Sequence, residues 1–235
     1  MTTKAWIIFV AICVVVFGGL LVWSQRDRID VSKVSEASIL SGTAKSGDIG
    51  DHVKGTKDSK VVLIEYGDFQ CPGCEAAYPV VKSLAEKYGD KIAIVFRNFP
   101  LTNAHPNARA ASAAAEAAGL KGKFWEMHDK LFENQSEWAD ASTSERGKFF
   151  ERYATEIGLD GNEFTTSLGS QSGRLNQKIS FDQALGRKIK VDGTPAFFLN
   201  GAKLAADKVS SEESFSKVIE AEMEKQGIST ETDKE

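Results

Sequence analysis

Two short apolar runs in the first half of the chain predict buried strands. Residues 60–66 (KVVLIEY) and 91–99 (KIAIVFRNF) are rich in β-branched residues and bounded by polar positions, which is typical of fully buried parallel strands. The segment between them has apolar positions at helical spacing and ends at Gly89, a common helix stop. A strand, a helix and a second strand predict a parallel pair with one right-handed crossover.

The middle of the chain, residues 103–190, has an almost continuous helical pattern. Residues 105–120 are dense in alanine, which favours helix. Large apolar residues recur at helical spacing in residues 123–135 and 149–158, and we interpret them as core-facing stripes rather than cofactor-binding positions. Asp160, followed three residues later by a glutamate, resembles a capping box. The pattern predicts a helical insertion after the second strand.

The chain returns to strand patterns after the insertion. Residues 196–199 (AFFL) predict a third strand, and Asn200-Gly201 is a strong signal for a hairpin turn into a short fourth strand. A last helix follows, and Ser210 or Ser211 is its predicted first cap.

The N-terminal region differs from the rest of the chain. Ala5–Trp23 is an uncharged apolar run of 19 residues, which predicts a membrane-spanning helix. We favour an uncleaved anchor over a signal peptide because LLVWSQ offers a poor cleavage site. Residues 24–48 are polar and small and predict a flexible linker. Residues 227–235 predict a disordered tail.

Charge and cysteine usage narrow the function. The chain has 29 basic and 33 acidic residues and a net charge of −4, which disfavours a nucleic-acid partner. Of its three cysteines, Cys13 lies in the apolar run, where we interpret it as a lipid-facing residue. Cys71 and Cys74 stand two residues apart where the first strand gives way to a helix. Basic residues flank the apolar run on both sides, so the positive-inside rule gives no orientation.

The Cys-Pro-Gly-Cys sequence suits thiol chemistry at a helix N-terminus. Unpaired backbone N–H groups and the positive end of the helix dipole would stabilise a thiolate at Cys71. Pro72 fits the first helical position, and Gly73 leaves the first sulfur accessible. Cys74, one turn further, is expected to be the more buried partner that resolves a mixed disulfide. A stabilised thiolate favours the dithiol form and makes the pair an oxidant.

Two further residues are candidates for the same site. Glu65 stands six residues before Cys71 in the buried strand, where desolvation would raise its pKa and let it exchange a proton with Cys74 through water. A solvent-facing edge position for Glu65 is equally compatible with the residues alone. Thr194-Pro195 precedes the third strand, but the sequence physics does not establish a cis bond, because only about 5–6% of X-Pro bonds are cis.

Several motifs in a fixed order resemble a known family. VLIEYGDFQCPGC, FRNFPL followed by HPNARAASAAAEAAG, KFWEMHDKLFENQ and VDGTPAFFLNG together resemble the DsbA-type thiol:disulfide oxidoreductases, in particular the membrane-anchored bacterial branch that includes BdbD. The resemblance covers about residues 48–226. It implies an α/β thioredoxin fold with an inserted helical domain, preceded by a single N-terminal transmembrane helix. The expected parts are a membrane anchor (1–23), a linker (24–48), the thioredoxin fold in two parts (49–102 and 191–226), the inserted helical domain (103–190) and the tail (227–235).

The resemblance also implies roles for individual residues. Cys71 is expected to be the nucleophile, Cys74 the resolving cysteine, Glu65 the buried acid and Pro195 a cis-proline that faces the disulfide. The expected substrate-binding residues are Thr194, which would pair through its backbone with an extended substrate segment, together with Pro72 and Gly73. One position departs from the best-known oxidases of the family, which have histidine where this chain has Gly73, so one source of thiolate stabilisation is absent.

The resulting expectation is an extracytoplasmic enzyme at the cell membrane that oxidises unfolded secreted proteins. It would use the Cys71–Cys74 disulfide without a cofactor or metal, as a monomeric catalytic domain. A quinone-linked membrane protein of the DsbB or VKOR type would reoxidise it. The alternative within catalysis is a membrane-tethered reductase or isomerase with the same site.

Two other functions are disfavoured. Structural zinc needs four ligands, and the three histidines of the chain, His52, His105 and His128, have no ligand-like spacing. We interpret His105 and His128, which lie in the predicted insertion, as histidines with satisfied hydrogen bonds rather than as catalytic bases. A purely structural disulfide would close a loop of only two residues and would constrain the unfolded chain little.

Overall fold

A computed structural model of the protein describes residues 3–26 and 29–230. They fall into two compact units, and the boundary between the units along the chain lies between Asp30 and Val31. The first unit holds one helix, α1 (Thr3–Arg26), whose large apolar side chains, such as Trp6, Phe9 and Phe17, are exposed. Among the described residues, no helix is both long enough and apolar enough to cross a membrane. The transmembrane helix expected over residues 5–23 is therefore not confirmed.

A five-stranded mixed sheet forms the centre of the second unit. Its strands are β1 (Val53–Gly55), β2 (Val62–Gly67), β3 (Ala93–Asn98), β4 (Ala196–Leu199) and β5 (Ala202–Lys203), in the spatial order β1-β3-β2-β4-β5. β2 and β3 are parallel, as predicted. β1, β4 and β5 pair antiparallel with their neighbours, so β3, β2 and β4 have partners on both sides and β1 and β5 are the edge strands.

The helix α2 (Pro72–Tyr88) connects the two parallel strands and ends at Gly89, as the sequence predicts. Together with α9 (Glu212–Lys225) it covers one face of the sheet. Leu84 of α2 is fully buried in this cluster, so we expect Leu84→Ala to cost about 2–5 kcal/mol of stability. This packing fixes the position of the α2 N-terminus, where the two cysteines lie.

The predicted helical insertion is present between β3 and β4, a stretch that the structure describes without gaps. Its helices are α3 (Ala108–Gly119), α4 (Phe124–Glu133), α5 (Gln135–Trp138), α6 (Thr143–Glu156), α7 (Gly161–Ser170) and α8 (Ser172–Lys188). The alanines of α3 and the large apolar residues of α4 and α6 share one core cluster. Asp160 caps α7 by accepting a hydrogen bond from the Glu163 backbone at 2.8 Å, which confirms the predicted helix start.

The turn after β4 also follows the prediction. Asn200 and Gly201 have φ angles of 46° and 83°, the positive values that this hairpin type requires at both central residues. Ser211 caps α9 by accepting a hydrogen bond from the Ser214 backbone at 3.2 Å.

Residues 31–48 differ from the flexible linker expected over 24–48. Arg97 donates to the Glu36 carbonyl at 2.6 Å and to the Ser38 carbonyl at 2.8 Å, and Arg174 donates to the Gly47 carbonyl at 2.9 Å. These partners are distant in sequence, so a local pattern does not reveal them. Residues 27 and 28 of the expected linker lie outside the described residues, as do residues 231–235 of the expected tail.

Candidate active site

The two cysteines of the CPGC sequence lie at the start of α2, directly after the carboxyl end of β2. Cys71 is the N-cap residue, with φ −74° and ψ 123°, and its carbonyl accepts the backbone N–H groups of Cys74 and Glu75 at 3.1 Å each. Both thiols are free, so the structure shows the dithiol form. Cys71 is 8% exposed and Cys74 is 0% exposed, which makes Cys71 the sulfur that an incoming thiolate can reach.

The two sulfurs differ strongly in acidity. A hydrogen bond from the Cys74 thiol lowers the pKa of Cys71 to about 5, with smaller contributions from the backbone N–H groups of Cys74 and Gly73, although partial burial opposes the shift. Burial raises the pKa of Cys74 well above its ordinary value, and its hydrogen bond to Cys71 adds to the shift. Cys71 is thus a thiolate at neutral pH and Cys74 remains a thiol.

Thr194 contacts Cys71 from the loop before β4. The Cys71 thiol donates to the Thr194 carbonyl at 3.4 Å, whereas the Thr194 hydroxyl oxygen is buried without a hydrogen-bond partner. The Thr194 side chain also contributes to the lowered pKa of Cys71.

The Thr194–Pro195 peptide bond is cis, as the resemblance implied. A Cβ placed on Gly73 would lie 3.3 Å from Cδ of Pro195, 3.6 Å from the Thr194 carbonyl oxygen and 3.7 Å from Sγ of Cys71. The expected substrate-binding residues therefore meet around the exposed part of Cys71, where Pro72 and Gly73 are both exposed.

Glu65 is buried, which decides between the two positions that the sequence left open. It is 4% exposed and lies opposite Phe96 and Phe197 in the sheet register. Burial, with the negative charge of Cys71 as a smaller cause, raises the pKa of Glu65 to about 8. Within residues 3–26 and 29–230, no hydrogen bond to its carboxyl group offsets this burial.

The insertion contributes polar groups that sequence reasoning missed. Gln135 of α5 donates to the carbonyls of Phe69 and Cys71 at 2.8 and 3.3 Å. The Gln70 side chain accepts from the Asn107 backbone at 2.7 Å. These amides fix the loop before α2 from the side of the insertion. Glutamine and asparagine have no distinctive spacing here, so no local signal could have identified them.

Asp68 and Gln70 are also buried, at 0% and 8% exposure, although a solvated turn was equally compatible with the sequence. His105 pairs with Asp68 at 2.7 Å. His128 bonds Asp129 at 2.9 Å through Nδ1, while its Nε2 is buried without a partner, so the interpretation of His128 as a satisfied histidine holds for one ring nitrogen only. In the described part of the chain, no group of three or more potential ligands is arranged to hold a metal ion.

Comparison with known proteins identifies relatives by sequence. A family model described as thioredoxin matches residues 48–221. The Na(+)/H(+) antiporter NhaA 1 of Mycolicibacterium vanbaalenii is 37% identical over 155 residues, which is 65% of this chain and 24% of that protein. The chain thus spans only about a quarter of the length of the curated relatives it matches.

Solved structures show the same fold at lower identity. The oxidised form of BdbD from Bacillus subtilis has a TM-score of 0.64 and 20% identity, and the match covers 80% of this chain and 99% of that one. The thiol-disulfide exchange protein alpha-DsbA2 from Wolbachia pipientis has a TM-score of 0.62 and 22% identity, with 73% and 86% coverage.

Proposed function

The chain belongs to the thioredoxin family, with structural neighbours of the DsbA and BdbD type, and on this premise we propose that it is a thiol:disulfide oxidoreductase that introduces disulfides into secreted or surface proteins. One observation carries the proposal. The pKa of Cys71 is lowered to about 5 whereas that of its neighbour Cys74 is raised. A stabilised Cys71 thiolate favours the dithiol form, so the disulfide form is driven to accept electrons.

The proposed reaction consists of two thiol–disulfide exchanges. A substrate thiolate attacks Sγ of Cys71 in the oxidised protein, the Cys71–Cys74 bond breaks, and Cys74 leaves as a thiolate. A second substrate thiolate then attacks the substrate sulfur of the mixed disulfide, and Cys71 leaves as a thiolate. The substrate loses two electrons and gains a disulfide, and the protein becomes the dithiol. Attack at Cys71 is favoured because Cys71 is the more exposed sulfur. The second exchange is favoured because the Cys71 thiolate, with its lowered pKa, is a good leaving group.

Glu65 supplies the proton that the first exchange requires. Cys74 leaves as a thiolate in a site that disfavours its negative charge, so a nearby acid is needed. The pKa of Glu65 is raised to about 8, so this carboxyl is mostly protonated at neutral pH and can give a proton to Cys74 through water. The same group would take the proton back when the pair is reoxidised.

The substrate segment would bind across the exposed surface around Cys71. Pro72, Gly73, Thr194 and Pro195 surround this surface. The Thr194 backbone lies just before β4 begins at Ala196, and pairing with an extended peptide there would place a substrate cysteine against Cys71. This arrangement favours unfolded proteins, because folded ones do not offer an extended segment.

The proposal needs no cofactor or metal, and it places the catalytic domain outside the cytoplasm at the cell membrane. A reoxidising partner of the quinone-linked DsbB or VKOR type would restore the disulfide. The apolar residues 5–23 support attachment to a membrane, either through a spanning segment or through contact with the membrane surface. Carbonate extraction of cell membranes distinguishes them: a spanning segment keeps the protein in the pellet, whereas release to the supernatant excludes it.

A reductase or isomerase with the same site is the second candidate. The observation that favours it is Gly73, which offers no side chain to stabilise the Cys71 thiolate further. Equilibration of the dithiol and disulfide forms in graded glutathione buffers separates the candidates. A reduction potential near about −120 mV supports an oxidase, and one near about −270 mV would make the protein a reductant.

A further inference from the structure

The carboxyl group of Asp68, directly before the CPGC turn, is held by three hydrogen-bond donors. Oδ1 accepts from the Gln70 backbone at 2.8 Å. Oδ2 accepts from the Leu101 backbone at 2.8 Å and from Nδ1 of His105 at 2.7 Å. The carboxyl group is 0% exposed and His105 retains some exposure. An ionised carboxylate only accepts hydrogen bonds, so all three donors fix its position.

The backbone of the same residue points at the buried sulfur of the site. The Asp68 N–H donates to Sγ of Cys74 at 3.4 Å, whereas Cys71 receives its hydrogen bonds from other groups. This donor lowers the pKa of Cys74, against the burial that raises it. The Asp68 side chain ties the loop before α2 to residues 101–105, and its backbone then has little freedom to turn away from Cys74.

We propose that Asp68 is a positioning residue for Cys74. The three hydrogen bonds to the Asp68 carboxyl group (the three-donor clamp) keep the Asp68 backbone N–H directed at the Cys74 sulfur as that sulfur becomes a thiolate. The proposal deepens the proposed function and rests on it for its biological meaning. In the first exchange an attacking thiolate bonds to Cys71, the Cys71–Cys74 bond breaks, and Cys74 takes the electron pair. The Asp68 N–H stabilises that charge until a proton arrives.

A rival role for Asp68 has the opposite consequence. If its negative charge acted directly on Cys74, it would oppose the Cys74 thiolate, and removing it would ease the departure of Cys74. If the carboxylate acts as a clamp, Asp68→Asn replaces one carboxylate oxygen with an amide NH2 group that faces another donor. The backbone N–H of residue 68 is then no longer held in its direction toward the Cys74 sulfur. The sign of the effect therefore separates the two roles.

The test measures the two exchanges separately, in the full chain with Cys13→Ser so that only the site thiols react. Rapid-quench reduction of the oxidised protein by glutathione reports the step in which Cys74 leaves. In a Cys74→Ser background, attack of free glutathione on the glutathione sulfur of the Cys71 adduct forms oxidised glutathione and reports the step in which Cys71 leaves. We expect Asp68→Asn to slow the first step about tenfold and to leave the second within about twofold.

Two further variants control for folding. His105→Phe removes one donor of the clamp at a partly exposed position, so it should slow the first step in the same direction but less, even if Asp68→Asn does not fold. Asp182→Asn is the matched control, because Asp182 is also fully buried and accepts three hydrogen bonds, from Lys178 and twice from Asn98. It should leave both steps unchanged in the folded protein.

Three outcomes would overturn the proposal: a faster first step, an equal slowing of both steps, or no change in either folded variant. Glutathione exchange needs only the two cysteines, so the result does not depend on the biological direction of the reaction. Oxidation of a reduced, unfolded protein substrate is measured in parallel. If the protein does not oxidise that substrate but Asp68→Asn still slows only the first exchange step, the proposed function is wrong and the positioning role stands.

Discussion

Two buried polar regions of this protein differ in whether their ionisable side chains have counter-ions. In the first, which we call the buried ion network (Asp51, Arg97, Lys178, Asp182), every charged side chain has an opposite charge within reach. Arg97 lies 2.7 Å from Asp51, and Lys178 lies 3.1 Å from Asp51 and 2.7 Å from Asp182. In the second, the CPGC site, the Glu65 carboxyl has neither a counter-ion nor a hydrogen bond from the described residues.

The acidities of the two regions follow from this difference. Burial alone would raise the pKa of Asp51, but Lys178 and Arg97 hold it at about 2. Burial without such partners raises the pKa of Glu65 to about 8. The Asp51 carboxylate, paired with two cations, stays ionised at physiological pH and serves the fold. Burial raises the pKa of Asp182 to about 6 although Lys178 is its counter-ion, and the negative charges of Glu116 and Asp51 nearby add to the shift. An unpaired buried carboxyl such as Glu65 gains or loses its proton near neutral pH and is available for chemistry.

The largest expected effect comes from the nucleophile. Cys71→Ser removes the thiolate on which exchange depends, so oxidation of a reduced protein substrate should fall to the uncatalysed rate. Cys74→Ser is the matched control, because it keeps Cys71. When it is given oxidised glutathione, its Cys71 thiolate should attack the glutathione disulfide, release one glutathione thiolate and accumulate a mixed disulfide visible by mass spectrometry. Substantial oxidation by the Cys71→Ser variant would place the chemistry elsewhere.

Breaking the buried ion network should cost the next largest amount, this time in stability. Arg97→Met leaves Asp51 without its closest counter-ion, and removal of one partner of a buried pair costs about 3–5 kcal/mol. Urea unfolding of the dithiol protein measures the loss, and the potential of the cysteine pair should stay unchanged while the variant is folded. A loss below about 1 kcal/mol would show that the network is not what holds residues 36–51 in place.

The ionisation of Cys71 predicts a pH dependence near pH 5, a range in which Asp51 of the buried ion network does not titrate. Thiolate absorbance, corrected with Cys71→Ser, should have its midpoint near pH 5. Because the folded pKa lies below the unfolded value of about 8.5, the stabilisation of the dithiol form is fully present above about pH 8.5 and is lost as the pH falls through about 5. A midpoint near pH 8 would contradict a stabilised thiolate.

Glu65→Gln should have the smallest but most diagnostic effect. The folded pKa of about 8 lies above the unfolded value of about 4.3, so the Glu65 contribution is most favourable below about pH 4.3 and is lost as the pH rises through about 8. The variant should therefore gain stability over the wild-type dithiol protein across that interval, and exchange at neutral pH should slow several-fold. Parallel stability curves for the two proteins would show that the carboxyl is not buried as a neutral group.

Much of the frame of the site could be predicted from the sequence. The apolar run of β2, Pro72 after Cys71 and Gly89 at the end of α2 are local signals, because a strand, a helix start and a helix stop depend on neighbouring residues. The Asn200-Gly201 turn and the Asp160 cap are local for the same reason. The sequence by itself therefore determined the order of elements and the place of the two cysteines at a helix N-terminus.

Only the tertiary structure decided how the polar residues are used. Glu65 could have faced solvent, and it is buried because Phe96 and Phe197 flank it from neighbouring strands. Asp68 could have been a solvated turn residue, and it is fixed by donors more than 30 positions away at Leu101 and His105. Burial and hydrogen bonding depend on which distant segments fold together. These two properties determine the pKa and the orientation of each group in the site.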